Sequence, residues 1–152
     1  MSDAATLVET ALIHPETLRL LGGPSVVVET KRGAAGAVRG VTLKYRAVER
    51  LSAFLRASPP QLMRVIEINE RTAQRRKEQG ALTSEESDRL ARVARVTRRA
   101  VDAFGDEAQA LEWLRRTNRT LGGSPPLELL GTDAGAELVV DELGRIEYGD
   151  LY

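Results

Sequence analysis

A chain of 152 residues that is 42% apolar and 29% charged has the make-up of one ordinary globular domain or two small ones. It has no cysteine and a single histidine, which excludes disulfides, thiol catalysis and metal sites built from thiolates or clustered histidines. The formal net charge of zero conceals a division: residues 1–68 hold 9 basic and 6 acidic side chains, 69–99 hold 9 and 5, and 100–152 hold 4 and 11. Such a bipolar chain is suited to meeting different partners with its two halves. No run approaches the roughly 20 apolar residues of a membrane span. Met1 to Leu12 carries Asp3 and Glu9 with no basic residue ahead of an apolar block, unlike a secretory leader. The expectation is a cytoplasmic protein without metal, cofactor or membrane association.

In chain order, Ala4 to Ile13 and Glu16 to Leu21 read as short helices, the second stopped by Gly22, Gly23 and Pro24. Val26, Val27 and Val28 suit one short strand. Gly33, Gly36 and Gly40, set among small residues, read as a flexible linker. From Thr42 onward, Leu43, Val48, Leu51 and Leu55 are spaced for one helix face. Ser58, Pro59 and Gln61 form a capping box that opens a helix of about two turns burying Leu62, Val65 and Ile66. Glu67 and Ile68 make a turn. Asn69 caps a second short helix, Glu70 to Glu78, with Gly80 as its stop. Thr83 and Glu86 make another capping box, opening a longer helix whose apolar face runs from Leu90 to Phe104. Gly105 ends it, Asp106 caps the next helix around Trp113, Ser124-Pro125 starts a short one through Leu130, and Thr132 caps the last. Strand signals nearly vanish after residue 30, so the fold is expected to be all-α. Three parts are predicted: an N-terminal extension over 1–40 that would serve in dimerisation or as a further partner contact, a domain over 41–99, and a helical domain over 100–152.

Residues 59–79 have the proportions of a helix-turn-helix, in which the first helix crosses the DNA backbone and the second offers its N-terminal turns to the major groove. On the second helix Arg71, Gln74 and Arg75 have the reach and hydrogen-bonding forks that read guanine and adenine, whereas Lys77, Thr72 and Asn69 suit phosphates. The same row would also serve as a charged cover over the core. Three positions depart from the usual pattern. Met63 stands where a small residue is common, Glu67 where the turn favours glycine, and Arg76 at an apolar position from which its guanidinium would snorkel. The face Arg92, Arg95, Arg98 and Arg99 reads as solvated surface, or as further phosphate contacts. His14 reads as a helix-end residue and Trp113 as core. Asp141 and Glu142 point to different sides of a helix, so no acid/base pair faces one cleft, and no nucleophile with a base is evident. The protein is expected not to be an enzyme.

The second half carries an ordered series: Asn118-Arg119-Thr120-Leu121-Gly122-Gly123, Pro126-Leu127-Glu128-Leu129-Leu130, Thr132, Gly135 and Leu143-Gly144-Arg145-Ile146-Glu147-Tyr148-Gly149. With Trp113-Leu114 and Glu85 to Leu90, it strongly resembles the Xre/MbcA/ParS antitoxins, DNA-binding partners of RES-domain toxins in type II systems, from about Val41 to Gly149. The resemblance implies a helix-turn-helix that binds operator DNA and represses its own operon. It also implies a C-terminal part that holds an NAD-consuming toxin inactive, with Arg145, Glu147, Tyr148, Gly149, Asp150, Leu151 and Tyr152 at the toxin's cleft. The sequence adds a rationale: a cleft for a dinucleotide attracts an acidic plug, and Tyr148 and Tyr152 could stack where flat rings go. Half-sites one helical turn apart imply a homodimer, with the N-terminal helices and exposed apolar parts of Leu43 to Leu55 as candidate surfaces. The alternative reading is a stand-alone helix-turn-helix regulator or helical adaptor without an active toxin.

Overall fold

The computed structural model describes residues 13–36 and 38–149. Helix α1, Pro15–Leu20, is capped by His14, whose Nδ1 accepts the Glu16 amide at 3.3 Å, so the one histidine is a helix-end residue. Predicted helix 4–13 lies almost entirely outside the described residues.

A hairpin follows. Strand β1, Val27–Arg32, pairs antiparallel with β2, Val38–Leu43, in the register Val27 opposite Leu43 and Thr30 opposite Val41. This corrects two expectations, the linker over Gly33 to Gly40 and the assignment of Leu43 to a helix. Leu43 is fully buried, its amide donates to Ser87 Oγ at 2.9 Å, and its carbonyl accepts the Leu82 amide at 2.9 Å. The end of β2 is therefore stitched into the core, and helix begins only at Arg46.

Helix α2, Arg46–Leu55, buries Ala47, Val48, Leu51, Ser52 and Leu55. Those residues belong to the core, while Ala53 is exposed and Phe54 half-buried on the same helix. Helices α3, Pro59–Val65, and α4, Glu70–Gln79, come next, then α5, Ser84–Phe104. At about 1.5 Å per residue α5 is roughly 30 Å long, and it runs unbroken through residue 99. It buries Leu90, Val93, Ala94, Val96, Thr97 and Ala100 and packs against α1, β2 and the two helices that follow it. Gly105 stops it in the left-handed region, and Asp106 caps α6, Glu107–Arg115. Trp113 is half-buried, tilted against Phe104 with ring centroids 5.7 Å apart. The loop Asn118–Gly123 closes with Leu121 buried, Pro126–Leu129 forms one 3-10 turn, and α7 spans Asp133–Gly149. The buried residues form one cluster reaching from α1 to α7. The fold is mostly α-helical with one small two-stranded sheet. Among the described residues no helix is long and apolar enough to cross a membrane.

Candidate functional site

The helix-turn-helix is built from local chemistry. Ser58 Oγ accepts the Gln61 amide at 3.3 Å while Gln61 Oε1 accepts the Ser58 amide at 2.9 Å, closing the capping box at the start of α3. In the turn, the Ile68 amide donates to the Met63 carbonyl and the Glu67 amide to that of Arg64, at 2.9 and 3.0 Å. This bonding requires a left-handed residue at Glu67, which has φ +62°. The turn thus keeps its usual geometry without glycine. Met63, large for its position, is buried beside Leu62 and Ile66.

Asn69 Oδ1 accepts the Thr72 amide at 2.9 Å, so half of its side chain serves the helix. Thr72, Ala73 and Arg76 form the inner side of α4 and are only half-buried. No residue of α4 is fully buried. Arg71, Gln74, Arg75 and Lys77 are exposed, and neither arginine nor Lys77 has a hydrogen-bond or ion-pair partner among the described residues. Gln74 Nε2 donates to Glu78 Oε1 at 3.3 Å. Arg71, Gln74 and Lys77 border an open groove of about 1030 Å³ floored by Tyr45, Met63 and Ile68. Burial, then the charge of Glu49, pushes the Tyr45 hydroxyl above its ordinary pKa, leaving it neutral.

Arg76 does not snorkel. Its Nε donates to both oxygens of Glu86, at 2.5 and 3.0 Å, with the side chains 14% and 8% exposed. Glu86 also accepts the Thr83 amide at 2.9 Å, so one carboxylate caps α5 and anchors α4. Burial would raise the Glu86 pKa. The bonds from Arg76 and from the backbone and side chain of Thr83 outweigh it and hold the carboxyl below its usual range.

The row of arginines on α5 is no solvated face. Arg89 Nη1 donates to the Ile66 carbonyl in the turn at 3.3 Å. Arg92 Nη1 donates to the Gly131 carbonyl at 3.0 Å, and its Nη2 pairs with Asp133 at 2.7 Å. Arg98 pairs with Glu16 and Asp102, and Arg99 with Glu147 at 2.6 Å. Arg95 alone of the four predicted surface arginines is exposed. Gly131 completes the join: a Cβ there would lie 2.2 Å from the Val65 carbonyl oxygen. Only a residue without a side chain lets the turn seat against it.

On α7 the buried side is Gly135, Ala136, Val139 and Leu143, with Gly135 packed so that a Cβ would meet the Leu129 carbonyl oxygen at 1.9 Å. Leu138, Val140 and Tyr148 are exposed on this helix, three of the four large apolar side chains exposed among the described residues, with Leu138 and Val140 on opposite flanks of buried Val139. Arg145, Glu147, Tyr148 and Gly149 occupy the last turns of this helix. Arg145 is paired with Glu142, and Glu147 with Arg99 on α5, so neither charge is uncommitted. Asp150, Leu151 and Tyr152 lie outside the described residues.

Residues 34–95 match the family model of the antitoxin Xre-like helix-turn-helix domain, and residues 99–149 that of the antitoxin Xre/MbcA/ParS C-terminal toxin-binding domain. The chain is also 41% identical over 102 residues to an Antitoxin Xre of Yersinia enterocolitica, covering 64% of this chain and 69% of that protein. The chain belongs to the Xre family of antitoxins. Another Antitoxin Xre, from Photorhabdus laumondii, is 41% identical over 90 residues, 58% of this chain and 61% of the relative, so the match spans less than two thirds of that protein. A third, from Pseudomonas putida, is 37% identical over 68 residues, 45% and 43% of the two chains.

The Xre-like helix-turn-helix model begins at residue 34, so it takes in β2. Sequence reasoning missed the Arg76–Glu86 anchor and the seat formed by Arg89, Arg92 and Gly131. Glu86, ten residues beyond Arg76 and already marked as a cap, was the available signal for the first. The second joins residues from 23 to 66 positions apart and had none.

Proposed function

We propose that this Xre-family chain is the antitoxin of a type II toxin–antitoxin pair, acting by binding and not by catalysis. It would neutralise a RES-domain, NAD-consuming toxin with α7 and the segment after it, and repress its own operon as a homodimer through α3, the turn and α4. The observation carrying this reading is the side-by-side match of a helix-turn-helix domain and a toxin-binding domain within one chain. Two features support it. The outer face of α4 holds Arg71, Gln74 and Arg75 clear of intramolecular ion pairs, as a base-reading helix requires. Leu138, Val140 and Tyr148 are exposed apolar side chains on the helix that closes the matched toxin-binding domain, where a partner could cover each of them. In this reading Arg71, Gln74 and Arg75 read bases, and Asn69, Thr72 and Lys77 hold phosphates. Arg145, Glu147, Tyr148, Gly149, Asp150, Leu151 and Tyr152 lie at the toxin's cleft, where Glu147 exchanges Arg99 for a group of the toxin.

Co-expression with the product of the neighbouring gene, followed by co-purification and an NAD-consumption assay, tests the proposal. The expected result is a tight complex, with NAD loss only when this chain is removed or truncated before Gly149. If no complex forms and NAD is untouched, the toxin reading fails and a stand-alone regulator takes its place. Full neutralisation by the truncated chain would move the blockade to the surface of α7.

A further inference from the structure

Most cations at the centre of this molecule are spoken for: Arg76, Arg89, Arg92, Arg98 and Arg99 all bond to carboxylates or carbonyls. Among the cations whose side chains have no hydrogen-bond or ion-pair partner among the described residues are Arg56, Arg64, Arg71, Lys77 and Arg115. These are contiguous. The groove beside α4 is bordered by Arg71, Lys77 and Arg64. Arg64 also borders the neighbouring cleft of about 450 Å³, whose far wall is Arg115 of α6. Arg115 in turn borders a third cleft with Arg56 and Arg116. Cations thus line three clefts joined by Arg64 and Arg115, from the second helix of the helix-turn-helix, past α3, to α6, with Glu49 and Glu70 in the first of them.

Its position is telling. Residues 100–152 hold only 4 basic against 11 acidic side chains, yet Arg115 and Arg116 sit together at the edge that meets the helix-turn-helix. Arg116 is paired with Glu112, but both are well exposed at 71% and 63%, so a stronger anion displaces that carboxylate cheaply. Glu128 lines the middle cleft and is the acidic group an anion would meet there. The uncommitted guanidinium groups of Arg64, Arg56 and Arg115, lying beyond a base-reading helix, match a nucleic-acid backbone, whose phosphates arginine grips in pairs.

We propose that the DNA footprint extends beyond the helix-turn-helix onto α6, with Arg56, Arg64 and Arg115 holding backbone phosphates that flank the operator half-site, so that the toxin-binding half itself touches DNA. This rests on the reading of α4 as a DNA-binding helix. The test is fluorescence anisotropy of the full chain with a labelled duplex taken from immediately upstream of its own reading frame, and with a scrambled duplex of equal length, between about 50 and about 200 mM salt. Arg56→Gly/Arg115→Ala is the test variant. Both residues are exposed, and Arg56 has φ +56°, which glycine accommodates, so the fold and its thermal midpoint are retained. Each lost phosphate contact lowers the slope of log K against log salt by about 0.9, so a fall of about 1.8, with equal weakening on both duplexes, is expected. Arg71→Ala/Arg75→Ala should instead erase the preference for the upstream duplex. An unchanged slope in Arg56→Gly/Arg115→Ala, beside a loss of preference in Arg71→Ala/Arg75→Ala, overturns the extension alone. Loss of toxin capture with an unchanged slope overturns it too, and assigns these arginines to a protein partner. If Arg71→Ala/Arg75→Ala binds like wild type, or wild type binds neither duplex, the DNA reading beneath the proposal falls as well.

Discussion

Replacing Arg76 with leucine should loosen α4 more than any other single change on that helix. The helix has no fully buried residue, so its attachment rests on the half-buried Thr72 and Ala73 and on the two bonds from Arg76 to Glu86. Leucine leaves the Glu86 carboxylate buried without its cation, a loss of about 3 kcal/mol at neutral pH. For a chain of this length that is a drop of roughly 6–12 °C in thermal midpoint. The pH dependence identifies the cause. The wild-type carboxyl titrates below its ordinary value of 4.5, so the stability it supplies is present above that value and is lost as pH falls through the lower, folded-state value. In Arg76→Leu, burial pushes Glu86 the other way, and protonation relieves the variant at a higher pH. The gap between the two proteins should therefore narrow as pH falls below about 5. Glu86→Gln keeps the Thr83 amide bonded, as capping-box glutamine does, and the double variant Arg76→Leu/Glu86→Gln should recover most of the loss. Urea denaturation followed by circular dichroism at several pH values measures all three. A single variant as stable as wild type at pH 7, or a gap that does not change with pH, would refute the reasoning.

Two further changes probe the turn. Glu67 holds φ +62°, a conformation that costs a side chain about 1–2 kcal/mol, so Glu67→Gly should raise stability by about 0.5–1 kcal/mol after the greater freedom of the unfolded glycine is set against it. A lower urea midpoint would show that the Glu67 side chain supports the seat beside Gly131. Gly131→Ala places a methyl 2.2 Å from the Val65 carbonyl oxygen and forces two backbones apart, which should cost about 2–3 kcal/mol in the same assay. An unchanged midpoint would mean that the turn does not press on that position.

Legibility in the sequence followed the range of the interaction. Caps at Ser58, Asn69, Thr83 and Asp106, and stops at Gly80 and Gly105, were readable because each is settled within four residues. The hairpin was not. Its second strand, Val-Arg-Gly-Val-Thr-Leu, is interrupted by Gly40 between glycine-rich and helical signals, and is held because β1 pairs with it and Ser87 takes up the Leu43 amide. Arg92 and Arg99 read as surface because their partners, Gly131, Asp133 and Glu147, lie far along the chain. Arg76 looked like a misplaced charge until Glu86 supplied the counter-charge. The exposed residues of α4 were identifiable from helical spacing, whereas Glu147 proved to be already engaged.

The length of α5 has a consequence for how such proteins can diversify. The two family regions meet at residues 95 and 99, inside a helix that continues to Phe104, and Arg89 and Arg92 brace the turn and the Gly131 corner from that same rod. A chimera joined at that boundary would splice one parent's arginines to the other's glycine and carbonyls. Under the reading of α4 proposed above, exchange of operator preference between relatives is easier by rewriting a few outer positions of α4 than by shuffling whole halves, and lineages of this architecture should inherit α5 together with the corner at Gly131 as a single block.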